Sequence, residues 1–349
     1  MEKVSILAIT KNGIDIGVKL KEIFPDWNLY SPSKFSSNKK IFWYSEPTSE
    51  KIIELFKNSK ALICLFSLGA VIRLIAPHLK DKKNDPAVIV IDDKTNFVIS
   101  VLSGHLGGAN ELTHNIAKKL NSIPVITTAA DVNKTIAVDL LGRNLGWIID
   151  DDSTVTKISA HMENEKKIGV FQDAGKISWL EKIPNNVKIY KSFNDLKNSG
   201  SKGNLIISDK IITDSLLNDS VVYRPPSLVI GIGLHWDTSK ETIKDSIHTT
   251  LKKFNLSSKS IAKLVSIKKS KNVQGLIDIG KEMGIPIEYV EREELASIAT
   301  PNPSKVVKEF EGTSSVSEAA AIKVSGGNLI VEKQKFPPNL TIAIARILD

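Results

Sequence analysis

From Val4 to Ile126 short apolar, β-branched runs alternate with amphipathic stretches, and this alternation most constrains the fold. Val4–Ile9, Ile41–Tyr44, Ala61–Phe66 and Pro124–Ile126 read as strands. Gly13–Phe24 (stopped by Pro25), Thr48–Lys57 and Ala109–Leu120 read as helices, and Ala70–Leu79 as a short apolar helix interrupted by Pro77. Ala87–Ile91 and Phe97–Leu102 are adjacent strands joined by a hairpin-like turn at Asp92–Asn96. A strand that must return through a helix runs parallel to its predecessor, so the pattern predicts a mostly parallel, doubly wound sheet.

At 349 residues the chain is too long for one ordinary core. Composition shifts around Gly146–Ser159, and from there to Pro226 the chain is polar, with short strands such as Lys167–Gln172 and Leu205–Ser208. Arg224-Pro225-Pro226-Ser227 forms a stiff hinge, after which alternation resumes through Leu228–Ile232, Ser239–Phe254, Asn272–Met283, Pro286–Val290, Val316–Val324, Leu329–Glu332 and Thr341–Ile347. The expected fold class is therefore α/β and multi-domain. It comprises a doubly wound N-terminal domain (1–146), a small α+β middle domain (147–226) and a second α/β domain (227–349).

With 42% hydrophobic and 25% charged residues the chain is globular, and no apolar run reaches the eighteen residues of a membrane span. The first residues lack a signal peptide's charged lead, and the single cysteine, Cys64, lies in an apolar strand; both point to the cytoplasm. The net charge of +8 suits a soluble lysine-rich surface, a nucleic acid or a small polyanionic substrate. Sparse aromatics and lysines mixed with acids, as in Lys80-Asp81-Lys82-Lys83-Asn84-Asp85, argue against nucleic acid.

Ligands of open parallel sheets bind at the strands' C-terminal rim. Four expected strand ends carry small, hydroxyl and ionisable residues: Thr10–Gly13, Ser67–Gly69 with Arg73 a turn later, Ser103–Glu111, and Thr127, Thr128 and Asp131. The third, Ser103-Gly104-His105-Leu106-Gly107-Gly108-Ala109-Asn110-Glu111, is the most informative. Its glycines allow close backbone approach and leave N–H groups for an anion at a helix start. It lacks the spacing of a Walker loop or a dinucleotide fingerprint, and Ser103 has no nucleophile elbow. His105 is either a general acid–base group or a structural tie of the turn; Glu111 orients it, serves as a base itself, or complements the helix dipole. Asp131 is an acid–base group or a helix cap. Lys80 and Lys82 belong to a solvated loop that would contact carboxylates beside a polyanion site.

In the C-terminal region Gly231-Ile232-Gly233 looks like a phosphate or carboxylate cradle, and Ser266, Lys268 and Lys269 follow a strand similarly. Glu318 begins a helix within Thr313–Ala321 and is either a cap or a ligand group. The histidines have no zinc-ligand spacing, so no metal site is expected.

Several strings resemble the CbiG family, the cobalt-precorrin-5A hydrolases of anaerobic cobalamin biosynthesis. They are Ile72–Pro77, Lys80–Lys82, Asp85–Val88, Phe97–Leu112, Pro124–Ala129, Gly169–Gly175 and Arg224–Gly231. Thr300–Ser304, Val316–Ala321 and Thr341–Ala345 resemble the CobE/CbiG C-terminal domain. The resemblance implies opening of the ring-A lactone of a cobalt-corrinoid and release of acetaldehyde. For that chemistry we expect His105 to activate water, helped by Glu111. Gly107 and Gly108 N–H groups would hold the oxyanion, and Asp131 or His105 would assist carbon–carbon cleavage. It also implies a polycarboxylate substrate that brings its own cobalt, no protein-bound cofactor, and neighbouring corrin-pathway enzymes as partners. Substrate contacts would come from Arg73, Lys80, Lys82, Ser103, Gly104, Gly107, Gly108, Asn110, Thr127, Thr128, Gly231, Gly233, Ser266, Lys268 and Glu318. One departure stands out: Leu234-His235-Trp236-Asp237 replaces the family's Cys and basic pair, leaving His235 to supply part of those contacts. A tetrapyrrole carrier without catalysis is the alternative reading.

Overall fold

The computed structural model describes residues 3–37, 41–81, 84–105, 107–128, 135–181 and 183–348. The chain divides into two compact units, Met1–Leu140 and Leu141–Asp349.

In the first unit, strands β1 (Val4–Ala8), β2 (Asn28–Pro32), β3 (Phe42–Tyr44), β4 (Ala61–Leu65), β5 (Ala87–Ile91), β6 (Phe97–Leu102) and β7 (Ile123–Val125) form one sheet in the order β3-β2-β1-β4-β5-β6-β7. Side chains alternate between the two faces of a strand. Ile6, Ile63 and Ile89 therefore pack with Ile14 and Leu20 of α1 (Lys11–Ile23) and Ile116 of α4 (Ala109–Leu120). Their neighbours Leu7, Leu62 and Val88 face the other way, onto Ile52 and Leu55 of α2 (Thr48–Asn58) and Val71 of α3 (Leu68–Ile75). Helices on both faces make the sheet doubly wound, as expected. Strand β2 was not anticipated, because Asn28-Leu29-Tyr30-Ser31-Pro32 lacks a continuous apolar run.

Strands β1 to β5 run parallel. The Asp92–Asn96 turn then reverses the chain, so β6 is antiparallel to β5, and β7 follows β6 in parallel. Asp92 fixes this turn by accepting the N–H groups of Lys94 (2.9 Å) and Phe97 (2.5 Å). Burial pushes its carboxyl up, but these backbone donors more than offset that and hold it below the usual range. The reversal corrects one expectation. The strand ends after β1 and β4 lie on one rim, whereas those after β6 and β7 lie on the opposite rim, beside the start of β5. The Thr10 and Ser67 turns therefore do not share a rim with the glycine turn. Thr10 and Asn12 instead bond Asp93, at 3.1 and 3.0 Å.

The second unit holds two five-stranded sheets. The first orders β8 (Ile148–Ile149), β9 (Ile168–Gln172), β10 (Val187–Tyr190), β11 (Gly203–Ile207) and β12 (Ser220–Arg224) as β10-β9-β11-β12-β8. All its pairs are parallel except β12 with β8, so this region is more regularly α/β than its polarity suggested. The second combines β13 (Leu228–Gly233), β14 (Ile261–Ile267) and β15 (Ile287–Val290), all parallel, with the antiparallel pair β16 (Leu329–Phe336) and β17 (Leu340–Arg346), in the order β15-β14-β13-β17-β16. Helices Lys240–Lys253 and Gln274–Met283 cover one face through Ile243, Ile247 and Leu276. Helix Val316–Ser325 covers the other through Ala319 and Ala320.

Within this unit the ends of β9, β11 and β12 are closed by ionic contacts. Arg346 grips the fully buried Asp209 with Nε at 2.7 Å and Nη2 at 2.6 Å, and donates to the Asp173 carbonyl. Arg224 donates to the Ser208 carbonyl (2.9 Å) and pairs with Asp150 (2.7 Å). No helix among the described residues is long and apolar enough to cross a membrane.

Candidate active site

The glycine turn begins where β6 ends. Ser103 adopts a left-handed conformation (φ 55°), unusual for a residue with a side chain, and its hydroxyl donates to the Asp85 carbonyl at 2.8 Å. Asp85 heads β5, is buried, and accepts the Lys80 backbone N–H through both carboxylate oxygens, at 3.1 and 3.0 Å. The Lys80 loop is thereby drawn to the rim that bears the turn. The Lys80 side chain is exposed there, while Lys82 lies outside the described residues.

Internal fit explains two of the glycines. A Cβ at Gly104 would stand 2.6 Å from Asn110 Oδ1, and one at Gly107 2.4 Å from Ser103 Cβ. Gly108 caps α4 in a left-handed conformation (φ 82°) and faces open space. Its N–H donates to the His105 carbonyl at 3.0 Å, which removes it from the expected oxyanion role. The Ala109 and Asn110 N–H groups bond the carbonyls of Ser103 and Gly104. The Gly107 N–H has no partner among the described residues.

Asn110 is also committed inward. Buried, it accepts from Ser100 Oγ (2.6 Å) and donates to Thr128 Oγ1 (3.0 Å), tying β6, α4 and the segment after β7 together. Thr127 beside it is exposed, as is Glu111 on the first turn of α4. Arg73 is exposed and donates to its own helix at Gly69 O (3.1 Å). Asp131 lies outside the described residues.

The carboxylate against His105 is one the sequence reading missed. Asp139 Oδ1 stands 3.4 Å from His105 Nδ1, with the two side chains 17% and 16% exposed. Asp139 follows the buried Val138 in a turn closed by the Leu140 N–H on the Ala137 carbonyl (3.0 Å). No local pattern around it signals a site. A carboxylate beside Nδ1 of a largely buried imidazole favours the tautomer that carries its proton on that nitrogen.

The C-terminal candidates divide differently. Gly231 is buried, and a Cβ there would lie 1.9 Å from the Ser317 carbonyl, so this glycine admits a helix rather than a ligand. At Gly233 a Cβ would meet Thr341 Oγ1 at 2.5 Å. Ser266 is buried and donates to the Ile232 carbonyl (2.7 Å). Glu318 is fully buried and accepts the Asn302 side-chain amide (2.8 Å) and the backbone N–H groups of Asn302 (3.2 Å) and Lys333 (3.0 Å). These groups build the domain rather than face an open site. Lys268 is exposed and paired with Glu291. Lys269, unlike its neighbour, is packed in. It donates to the Leu234 carbonyl (3.1 Å) and Glu311 (3.0 Å), and lies 5.1 Å from the centre of the Trp236 ring.

A cleft of about 630 Å³ opens where the Leu234–Asp237 departure falls. Its walls carry Asp237, Glu241, Asp278 and Glu282 against Lys240 and Lys281, a mixed lining rather than a basic one. The Glu282 carboxyl is pulled down to about 2 by Lys244 and Lys240. His235 pairs with Asp237 at 2.8 Å. Among the described residues no His, Cys, Asp and Glu cluster is spaced to hold a metal ion.

A doubly wound sheet with a histidine-bearing turn at a strand-end rim is an arrangement in which α/β proteins place ligand sites. Comparison with known proteins narrows the class. Residues 50–131 match the family described as cobalamin synthesis G N-terminal, 136–225 the cobalamin biosynthesis central region, and 228–345 the cobalamin synthesis G C-terminus. The chain is 40% identical to the cobalt-precorrin-5A hydrolase of Priestia megaterium, covering 98% of this chain and 94% of that one. It is 28% identical to the hydrolase of the same name from Salmonella typhimurium, over 95% and 94%. A solved cobalamin biosynthesis protein G homologue from Sulfolobus solfataricus is 25% identical over 99% and 97%, with a TM-score of 0.40. The chain belongs to the CbiG family of cobalamin biosynthesis proteins.

Proposed function

We propose that this protein is a cobalt-precorrin-5A hydrolase that opens the ring-A lactone of its substrate and releases acetaldehyde, giving cobalt-precorrin-5B. The observation that carries the reading is full-length kinship at 40% identity to a hydrolase of that name. In the proposed chemistry His105 Nε2 takes a proton from water as the water attacks the lactone carbonyl. The Gly107 N–H, rather than the engaged Gly108 N–H, donates to the oxyanion. The His105 imidazolium returns its proton to the leaving alkoxide. A base, His105 or Asp131, then takes the proton of the resulting hydroxyl as the carbon–carbon bond breaks, acetaldehyde leaves, and the ring carbon takes up a proton.

The exposed Lys80, with Lys82 and Arg73, supplies positive charge for the substrate's carboxylates, and the net charge of +8 steers it. Exposed Thr127 is a further contact. Cobalt enters within the substrate, so the reaction needs no cofactor held by the protein. A cytoplasmic location and transfer of substrate and product to neighbouring corrin-pathway enzymes complete the reading.

The test is acetaldehyde release from cobalt-precorrin-5A by purified protein. His105→Ala is expected to cut turnover by roughly 10²–10⁴-fold with an unchanged circular dichroism spectrum and melting temperature. Normal turnover by that variant would sink the assignment of His105. Tight binding of the corrinoid by the wild type without acetaldehyde would make the protein a carrier.

A further inference from the structure

We infer that Asp139 is the positioning residue of His105: its carboxylate orients the imidazole and keeps a proton on Nδ1, so that Nε2 carries the lone pair that meets the reactant. The inference rests on the reading of His105 as the group that activates water. Three observations carry it. The Asp139 carboxylate stands 3.4 Å from Nδ1, within reach of a hydrogen bond that tightens when a reactant fills the site. Both side chains are about five-sixths buried, which strengthens their interaction while leaving the ring accessible. Each partner is held by backbone that does not depend on the other. His105 sits in a turn whose carbonyl accepts the Gly108 N–H (3.0 Å), and Asp139 is anchored by Val138, which is 1% exposed.

An imidazole without such a partner divides its proton between two nitrogens and turns about its bonds. A carboxylate on Nδ1 selects one tautomer and one ring orientation, and stabilises the imidazolium formed when Nε2 accepts a proton. Asp139 thus acts through His105 and touches neither water nor lactone.

The experiment uses the full-length protein labelled with ¹⁵N-histidine. The His105 ring nitrogens, assigned by their loss in His105→Ala, are expected to show a protonated Nδ1 and an unprotonated Nε2. In Asp139→Asn, which keeps the size of the side chain, the signals should move toward the mixed-tautomer average. Turnover should fall about 10²-fold with KM within about twofold of wild type. Asp139→Glu should recover part of both. A His105 spectrum unchanged in Asp139→Asn overturns the inference whatever happens to turnover, because a structural aspartate would leave the tautomer alone. If the spectrum changes but His105→Ala turns over normally, the reading of His105 as catalyst fails while the pairing stands.

Discussion

Two strand-end rims of this molecule are built from the same residue types and differ in what their polar groups face. At the glycine turn Lys80 and Thr127 are exposed, and His105 and Asp139 remain accessible. At the rim of the middle sheet the groups after β9, β11 and β12 are bonded to one another. Asp209 is fully buried and receives Arg346 and Ser227, whose hydroxyl stands 2.9 Å away. Arg224, 3% exposed, bridges Ser208 and Asp150. Topology makes every such rim a place where a ligand can bind. The rim that keeps ionisable and hydroxyl side chains exposed, Lys80 and Thr127 among them, is the better placed to act as a site.

The contrast breaks most visibly at Arg346. Removing its guanidinium leaves the Asp209 carboxylate buried with the Ser227 hydroxyl as its remaining side-chain donor. Arg346→Ala is expected to cost about 3 kcal/mol of stability, read as a lower urea midpoint. Turnover per folded molecule should stay near wild type. A variant of normal stability but impaired turnover would move this seam into the active machinery.

How far the residues themselves announced these regions differs too. The 3.6 and 2 periodicities disclosed the alternation, the β5–β6 hairpin and the doubly wound sheet, because burial on one or both faces writes itself into neighbouring residues. Direction along the sheet did not follow as easily. The Asp92 turn was visible, but its consequence, that the Ser103 turn points away from the Thr10 and Ser67 turns, appears only when register is assembled. Asp139 was invisible because the chain folds it against His105 from outside any periodic element. Gly231 and Gly104 misled for a related reason: a glycine that admits a helix or an asparagine reads the same as one that admits a ligand.

Gly231 offers the next test. A methyl group there would meet the Ser317 carbonyl at 1.9 Å and the Ala321 nitrogen at 2.8 Å, both backbone atoms that cannot turn aside. Gly231→Ala is therefore expected to destabilise the protein by about 2 kcal/mol, again with KM unchanged. A raised KM at normal stability would restore the cradle reading.

The smallest effect concerns pH at Asp150. Burial pushes its carboxyl up, but the Arg224 guanidinium and the Lys259 ammonium outweigh that and hold it below the usual range. A carboxylate with a depressed folded value contributes stability above its unfolded value, near about 4. That contribution is lost as pH falls from there through the folded value. Wild-type urea midpoints should drop between pH 7 and pH 3, and Asp150→Asn should show a shallower drop, having little of this contribution to lose. Turnover at neutral pH should not follow the same variant. Equal slopes for both proteins would mean that the Arg224–Asp150–Lys259 contacts stay solvated and add nothing to the seal, leaving Arg346 and Asp209 to close the rim alone.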